Sequence, residues 1–147
     1  MNKDLIDGYY LSDQTEQVDI ECVHKYLSID SYWGQGRSLE TVRKSIENSL
    51  CLGVYDKNGA QAGFARAVTD YATFAWICDV FVLPQEKGKG FGKALIGEIV
   101  AHPRLQGLKR VLLATEDAHG LYEKYGGFEK LPNPERWLAR TTEQHQK

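Results

Sequence analysis

The segment from Val80 to Leu95, VFVLPQEKGKGFGKAL, restricts the fold more than any other part of the chain. An aromatic and β-branched run ends at Pro84, glycines alternate at Gly88, Gly90 and Gly92, and an apolar pattern of helical period starts at once with Phe91, Leu95 and Ile99. Strand, glycine loop, helix is a layout that binds anions. Glycines let the backbone approach a phosphate without a Cβ in the way, and the first N–H groups of the helix lie at its positive end. Lys87, Lys89 and Lys93 cluster there in a chain whose net charge is only -2. A P-loop would need Ser or Thr after Lys93, where Ala94 stands, and the dinucleotide pattern GxGxxG fails in both frames, at Lys93 and at Leu95. A solvated, lysine-bearing turn is the plainer reading, but three alternating glycines cost backbone entropy that such a turn does not require.

The rest of the chain supplies elements to surround that unit. Asp13 with Glu16 resembles a capping box before Val18, Cys22, Val23, Tyr26 and Leu27, and Ser38 caps a second helix carrying Leu39, Val42 and Ile46. The connector SYWGQGR between them is too aromatic for a plain solvent loop. Leu50 to Tyr55 and Gln61 to Thr69 read as a hairpin turned at Asn58-Gly59, followed by a strand from Phe74 to Leu83. After the glycine loop come a helix to His102, a short strand from Arg110 to Ala114, and a helix capped by Asp117 that runs to Tyr125. Phe128 to Leu131 and Trp137 to Arg140 read as a closing pair of strands. The expected fold class is α/β, a mixed sheet covered by helices in an α-β-α sandwich.

A length of 147 residues suits one domain, residues 1–147, with no linker or repeat to divide it. The charge balance gives no general pull toward nucleic acid. Cys22, Cys51 and Cys78 show neither CxxC spacing nor a Cys/His ligand pattern, so no metal is expected, and an odd, scattered set fits a reducing cytoplasm. The opening MNKDLIDGYY has no apolar signal region, and no run approaches the roughly 18 apolar residues of a membrane span.

Two stretches resemble the GNAT superfamily of N-acetyltransferases. Its acetyl-CoA motif, Gln/Arg-x-x-Gly-x-Gly/Ala, matches Lys87-Gly88-Lys89-Gly90-Phe91-Gly92 with lysine in the first place, and Gln85 to Gly90 fits it literally. Its late A-x-x-x-Y-x-K-x-GF segment is similar to DAHGLYEKYGGF, with Ala118 and Tyr122 in register and one extra glycine at Gly126-Gly127. The resemblance implies a mixed, mostly antiparallel sheet and acetyl-CoA as co-substrate. It implies cofactor contacts at Phe81, Val82, Lys87, Gly88, Lys89, Gly90, Phe91, Gly92 and Lys93, with the backbone of Val82 facing the pantetheine. Tyr122 is the implied proton donor to the departing thiolate. A phenol that ionises near pH 10 stays neutral at pH 7 and is regenerated after donation.

On the acceptor side the expectations divide. Asp79, a carboxylate in an otherwise apolar strand, is either a general base or a structural hydrogen-bonding residue. Tyr32 and Trp33, on the aromatic connector, stand above the aromatics of strands as pocket residues. Arg66 pairs either a substrate carboxylate or a nearby aspartate. The expected partner is a small-molecule amine, without nucleic acid or membrane, and a homodimer is allowed. A non-catalytic acyl-CoA-binding module and an acetyltransferase of protein or peptide amines are the competing readings, and Tyr122 argues against the first.

Overall fold

The computed structural model describes residues 2–142. Six strands form one sheet in chain order: β1 Asn2–Asp4, β2 Tyr10–Ser12, β3 Leu50–Tyr55, β4 Gln61–Thr69, β5 Phe74–Val82 and β6 Arg110–Leu112. Four α-helices accompany them: α1 Ile20–Lys25, α2 Leu39–Glu47, α3 Phe91–Ala101 and α4 His119–Gly126. Every neighbouring pair of strands is antiparallel except β5 and β6, which run parallel. Parallel neighbours need a crossover, and α3 supplies it.

Alternation along β3 and β4 sends side chains to two cores. One face carries Leu52, Val54, Ala65 and Ala67 onto Leu95 and Ile99 of α3. The other carries Cys51, Phe64 and Phe81 onto Val23 of α1, Leu27, and Val42 and Ile46 of α2. The expected sandwich is therefore present, with one helix pair and one crossover helix on opposite faces of the sheet. No helix among the described residues is long and apolar enough to cross a membrane.

Two expectations fail for physical reasons, and two short strands were not expected. Asp13 does not cap a helix: its carboxylate lies 2.8 Å from Nε2 of buried His102, and α1 starts later, where Asp19 accepts from the Cys22 N–H at 3.1 Å. The expected strands at 128–131 and 137–140 are absent, because Asn133 in a left-handed conformation and the short 3-10 turn Pro134–Arg136 break extended pairing. The strands β1 and β2 went unread because three-residue segments carry too little alternation to register.

The second face also explains a glycine inside a strand. A Cβ on Gly53 would lie 2.3–2.7 Å from the ring and hydroxyl of fully buried Tyr55. Gly53→Ala is expected to lower stability by about 1–3 kcal/mol through this overlap. Thermal unfolding checks it, at roughly 2–4 °C of Tm per kcal/mol for a chain of this size.

Candidate active site

Strand β6 ends at Leu112, paired with Trp76, while β5 continues for six residues without a neighbour on that side. The separation is sharpened by a bulge. Phe64 pairs with Phe81 and Arg66 with Cys78, so Asp79 and Val80 together oppose Ala65, and Asp79 takes a positive φ of 54°. The result is a cleft between the end of β5 and the segment 114–122, with a volume of about 790 Å³. Backbone groups alternate direction along a strand. Leu83 N donates to Ala62 of β4, so the N–H and C=O of Val82 point the other way, toward the cleft.

At one end of the cleft lies the glycine loop. Gly88 and Gly90 have φ of 86° and 85°, and a Cβ on either would meet nothing within 4 Å. Left-handed backbone facing open space, at the N-terminus of an eleven-residue helix, is a cradle for an anionic group. Lys87, Gly88, Gly90, Phe91 and Gly92 line the cleft with Val82. The other two lysines are engaged elsewhere. Lys89 donates to Glu86 at 2.7 Å and to the Tyr9 hydroxyl at 3.0 Å, which raises its pKa, and Lys93 sits 5.0 Å from the centre of the Tyr125 ring. The ring of Phe81 belongs to the core, stacked 4.0 Å from Tyr26.

At the other end is Tyr122, on the first turns of α4. Burial, reinforced by the Tyr32, Asp117 and Cys78 charges, pushes its phenol up to about 12. The ring meets Phe128 edge-on at 6.0 Å. The doubled glycine holds this arrangement, and each glycine has its own cause. A Cβ on Gly126 would come within 2.7 Å of the Phe128 ring and 3.1 Å of Ile96, whereas Gly127 closes the helix at a φ of 72°. Asp117 is not the cap expected of it: the N–H of Ala118 donates to Thr115 Oγ1 at 3.2 Å.

Asp79 is 4% exposed, and its oxygens are taken. One accepts from Trp33 Nε1 at 3.0 Å, and the other from Arg37 Nη1 at 2.9 Å and Arg66 Nε at 2.8 Å. Arg66 also donates to Ser49 Oγ at 3.0 Å. Of the two alternatives for each residue, the geometry matches the structural Asp79 and the aspartate-paired Arg66. Tyr32 and Trp33 pack edge to face at 4.9 Å and line the cleft, with the Tyr32 hydroxyl accepting from the Glu116 N–H at 2.9 Å. Trp76 of β5 lines it too. Sequence reasoning missed Arg37 and Tyr26. The available signal for Arg37 was a lone cation inside SYWGQGR, directly before a helix cap.

A profile of the acetyltransferase (GNAT) family matches residues 20–128, which span both ends of this cleft. The chain belongs to that family. A Xanthomonas campestris protein assigned to the GNAT family has a crystal structure with a TM-score of 0.87 and 44% identity, covering 91% of this chain and 93% of the other. Among sequences, an uncharacterized N-acetyltransferase, ycf52, of Gracilaria tenuistipitata is 30% identical over 72% of this chain and 68% of its own. The chloroplastic serotonin N-acetyltransferase 2 of Oryza sativa is 31% identical over 70% of this chain, which spans 54% of that protein's length. As a family member the chain is an acetyltransferase, and acyl transfer is its general chemistry.

Two consequences can be measured. Asp79→Ala leaves two guanidiniums without their anion, and is expected to cost about 3–5 kcal/mol in denaturant unfolding. Gly126→Ala displaces Phe128 and with it the Tyr122 ring, so turnover should fall more than acetyl-CoA affinity. Equal losses in both would show that the glycine serves the whole cleft.

Proposed function

We propose that residues 1–147 form one acetyltransferase domain that moves the acetyl group of acetyl-CoA directly onto the amine of a small molecule, with both bound at once. The observation that carries this is a single cleft with an open glycine cradle at one end, a neutral phenol at the other, and the unpaired edge of β5 between them. The pyrophosphate would lie on Gly88 to Lys93, where backbone N–H groups, Lys87 and the helix end meet it. The pantetheine would run along β5 as an added strand does, exchanging hydrogen bonds with Val82. A neighbour in fold, a predicted acetyltransferase of Clostridium acetobutylicum with a TM-score of 0.65 and 14% identity, has a crystal structure with acetyl-CoA.

The amine attacks the thioester carbonyl, the C–S bond breaks, and the leaving sulfur takes its proton from Tyr122. Because burial pushes that phenol up to about 12, it remains protonated at neutral and mildly alkaline pH. Direct transfer is favoured by the state of the cysteine. Cys78 is the thiol lining the cleft, and burial pushes it up to about 11, so it is not a thiolate ready to accept the acetyl group. Asp79 enters this account as the residue that holds Trp33 and Arg37 in place, and the proton lost by the amine goes to water. The name of the rice relative supports a small amine as acceptor.

Gly90→Val puts a β-branched residue at a left-handed φ in the cradle, and calorimetry should show acetyl-CoA affinity lost. Equal affinity in mutant and wild type would remove the phosphate site from this loop. Tyr122→Phe should keep the cofactor affinity and lose on the order of 10²-fold in kcat. The wild-type kcat should also show no falling limb below about pH 10, since Tyr122 titrates above it. A fall between about pH 8 and 9 would assign the donated proton to another group.

A further inference from the structure

We infer that Asp117 is the anchor for the acceptor's ammonium group, holding it beside Tyr26 and Tyr122 at the mouth of the cleft. This rests on the acetyl-transfer reading and specifies what the acceptor end recognises: a primary ammonium on an apolar body.

The first support is that Asp117 has lost the duty its position suggests. An aspartate before a helix normally caps it, yet α4 starts at His119 with Ala118 at its N-cap and carries no side-chain cap bond. Among the described residues its carboxylate enters no hydrogen bond or ion pair. The second is that two of the other carboxylates around the cleft are engaged. Asp79 is held by two arginines and a tryptophan, and Glu86 accepts from Tyr9 and Lys89. Glu116 lies on the same exposed loop and also lines the cleft, with its backbone N–H donating to the Tyr32 hydroxyl.

The third support is placement. Asp117 lines the cleft with Tyr26, Tyr32, Trp33 and Tyr122. After burial, and for Tyr26 after Asp30, its charge is among the causes that raise both the Tyr26 and the Tyr122 phenols, which line the cleft with it. The cations that line this end, Arg37 and Arg66, direct their donors at Asp79 and Ser49. An unengaged carboxylate among aromatic faces is the chemistry that attracts an ammonium ion, by charge and by the ring quadrupoles. A primary alkylamine is such an ion at neutral pH.

The step balances. The ammonium binds to Asp117 and loses one proton to water, and its nitrogen forms the bond to the acetyl carbon. The C–S pair passes to sulfur, which takes the Tyr122 proton, and the second nitrogen proton passes through solvent to restore the Tyr122 phenol, so one proton is released overall. Asp117 is a binding and positioning residue here, so its removal acts on acceptor affinity.

The test uses phenethylamine, cationic at about pH 7, and its neutral counterpart 2-phenylethanol, each titrated by calorimetry into the full chain with and without saturating coenzyme A. Wild type should prefer the ammonium about 10-fold or more, Asp117→Asn should abolish that preference, and Asp117→Glu should restore part of it. Coenzyme A affinity and thermal stability should stay unchanged in both variants. A preference that survives in Asp117→Asn, or a wild type that prefers neither compound, overturns the assignment. Failure of the acetyl-transfer reading looks different: the ammonium still binds through Asp117, but coenzyme A does not, or no amide forms from acetyl-CoA.

Discussion

The bulge at Asp79 is the constraint on which the site depends. A positive φ in a non-glycine residue is costly, and it persists here because the side chain is fixed by three donors from three directions. Its backbone consequence is to turn β5 away from a continued pairing with β6, so that Val80 and Val82 face a cleft and not a strand. Its side-chain consequence is equally large. Trp33 and Arg37 come from the connector between α1 and α2, and the bond to Asp79 draws that connector over the sheet to form the acceptor wall. One residue thus opens the cleft and closes its far side.

The two ends of the cleft are built from different physics. At the cofactor end the glycines carry no side chain, so a ligand can be met by backbone dipoles whose direction the helix sets. At the acceptor end the walls are aromatic. Tyr26 lies on a single wide helical turn, Tyr26–Asp30, that extends α1 and brings its ring flat against Phe81. Aromatic packing leaves polar tips facing inward, where burial raises the phenol of Tyr122 and keeps its proton available.

Much of this was legible in the sequence because it rests on local rules. The three long strands, α3, and Ser38 as the cap of α2 followed from period and cap chemistry. The glycine loop and the phenol helix were visible because their spacing is set by the chain itself. What could not be read depends on distant partners. Asp79, Arg66 and Arg37 are 13 and 42 residues apart in pairs that only the bulge brings together. Asp13 and Asp117 both looked like caps, but α1 is capped by Asp19 and α4 has no side-chain cap bond. Gly126 looked like an insertion because the contact that needs it, the ring of Phe128, is a packing relation and not a motif.

The central claim is that the acetyl group passes straight from thioester to amine within one cleft. The most direct measurement is to mix the protein with acetyl-CoA, with and without an amine that it accepts, and to follow free thiol together with the intact mass of the chain. The account predicts thiol release only when the amine is present, and a chain mass that never changes. A stoichiometric burst of thiol without the amine, with the chain heavier by one acetyl group, would contradict it and place a covalent intermediate on the protein.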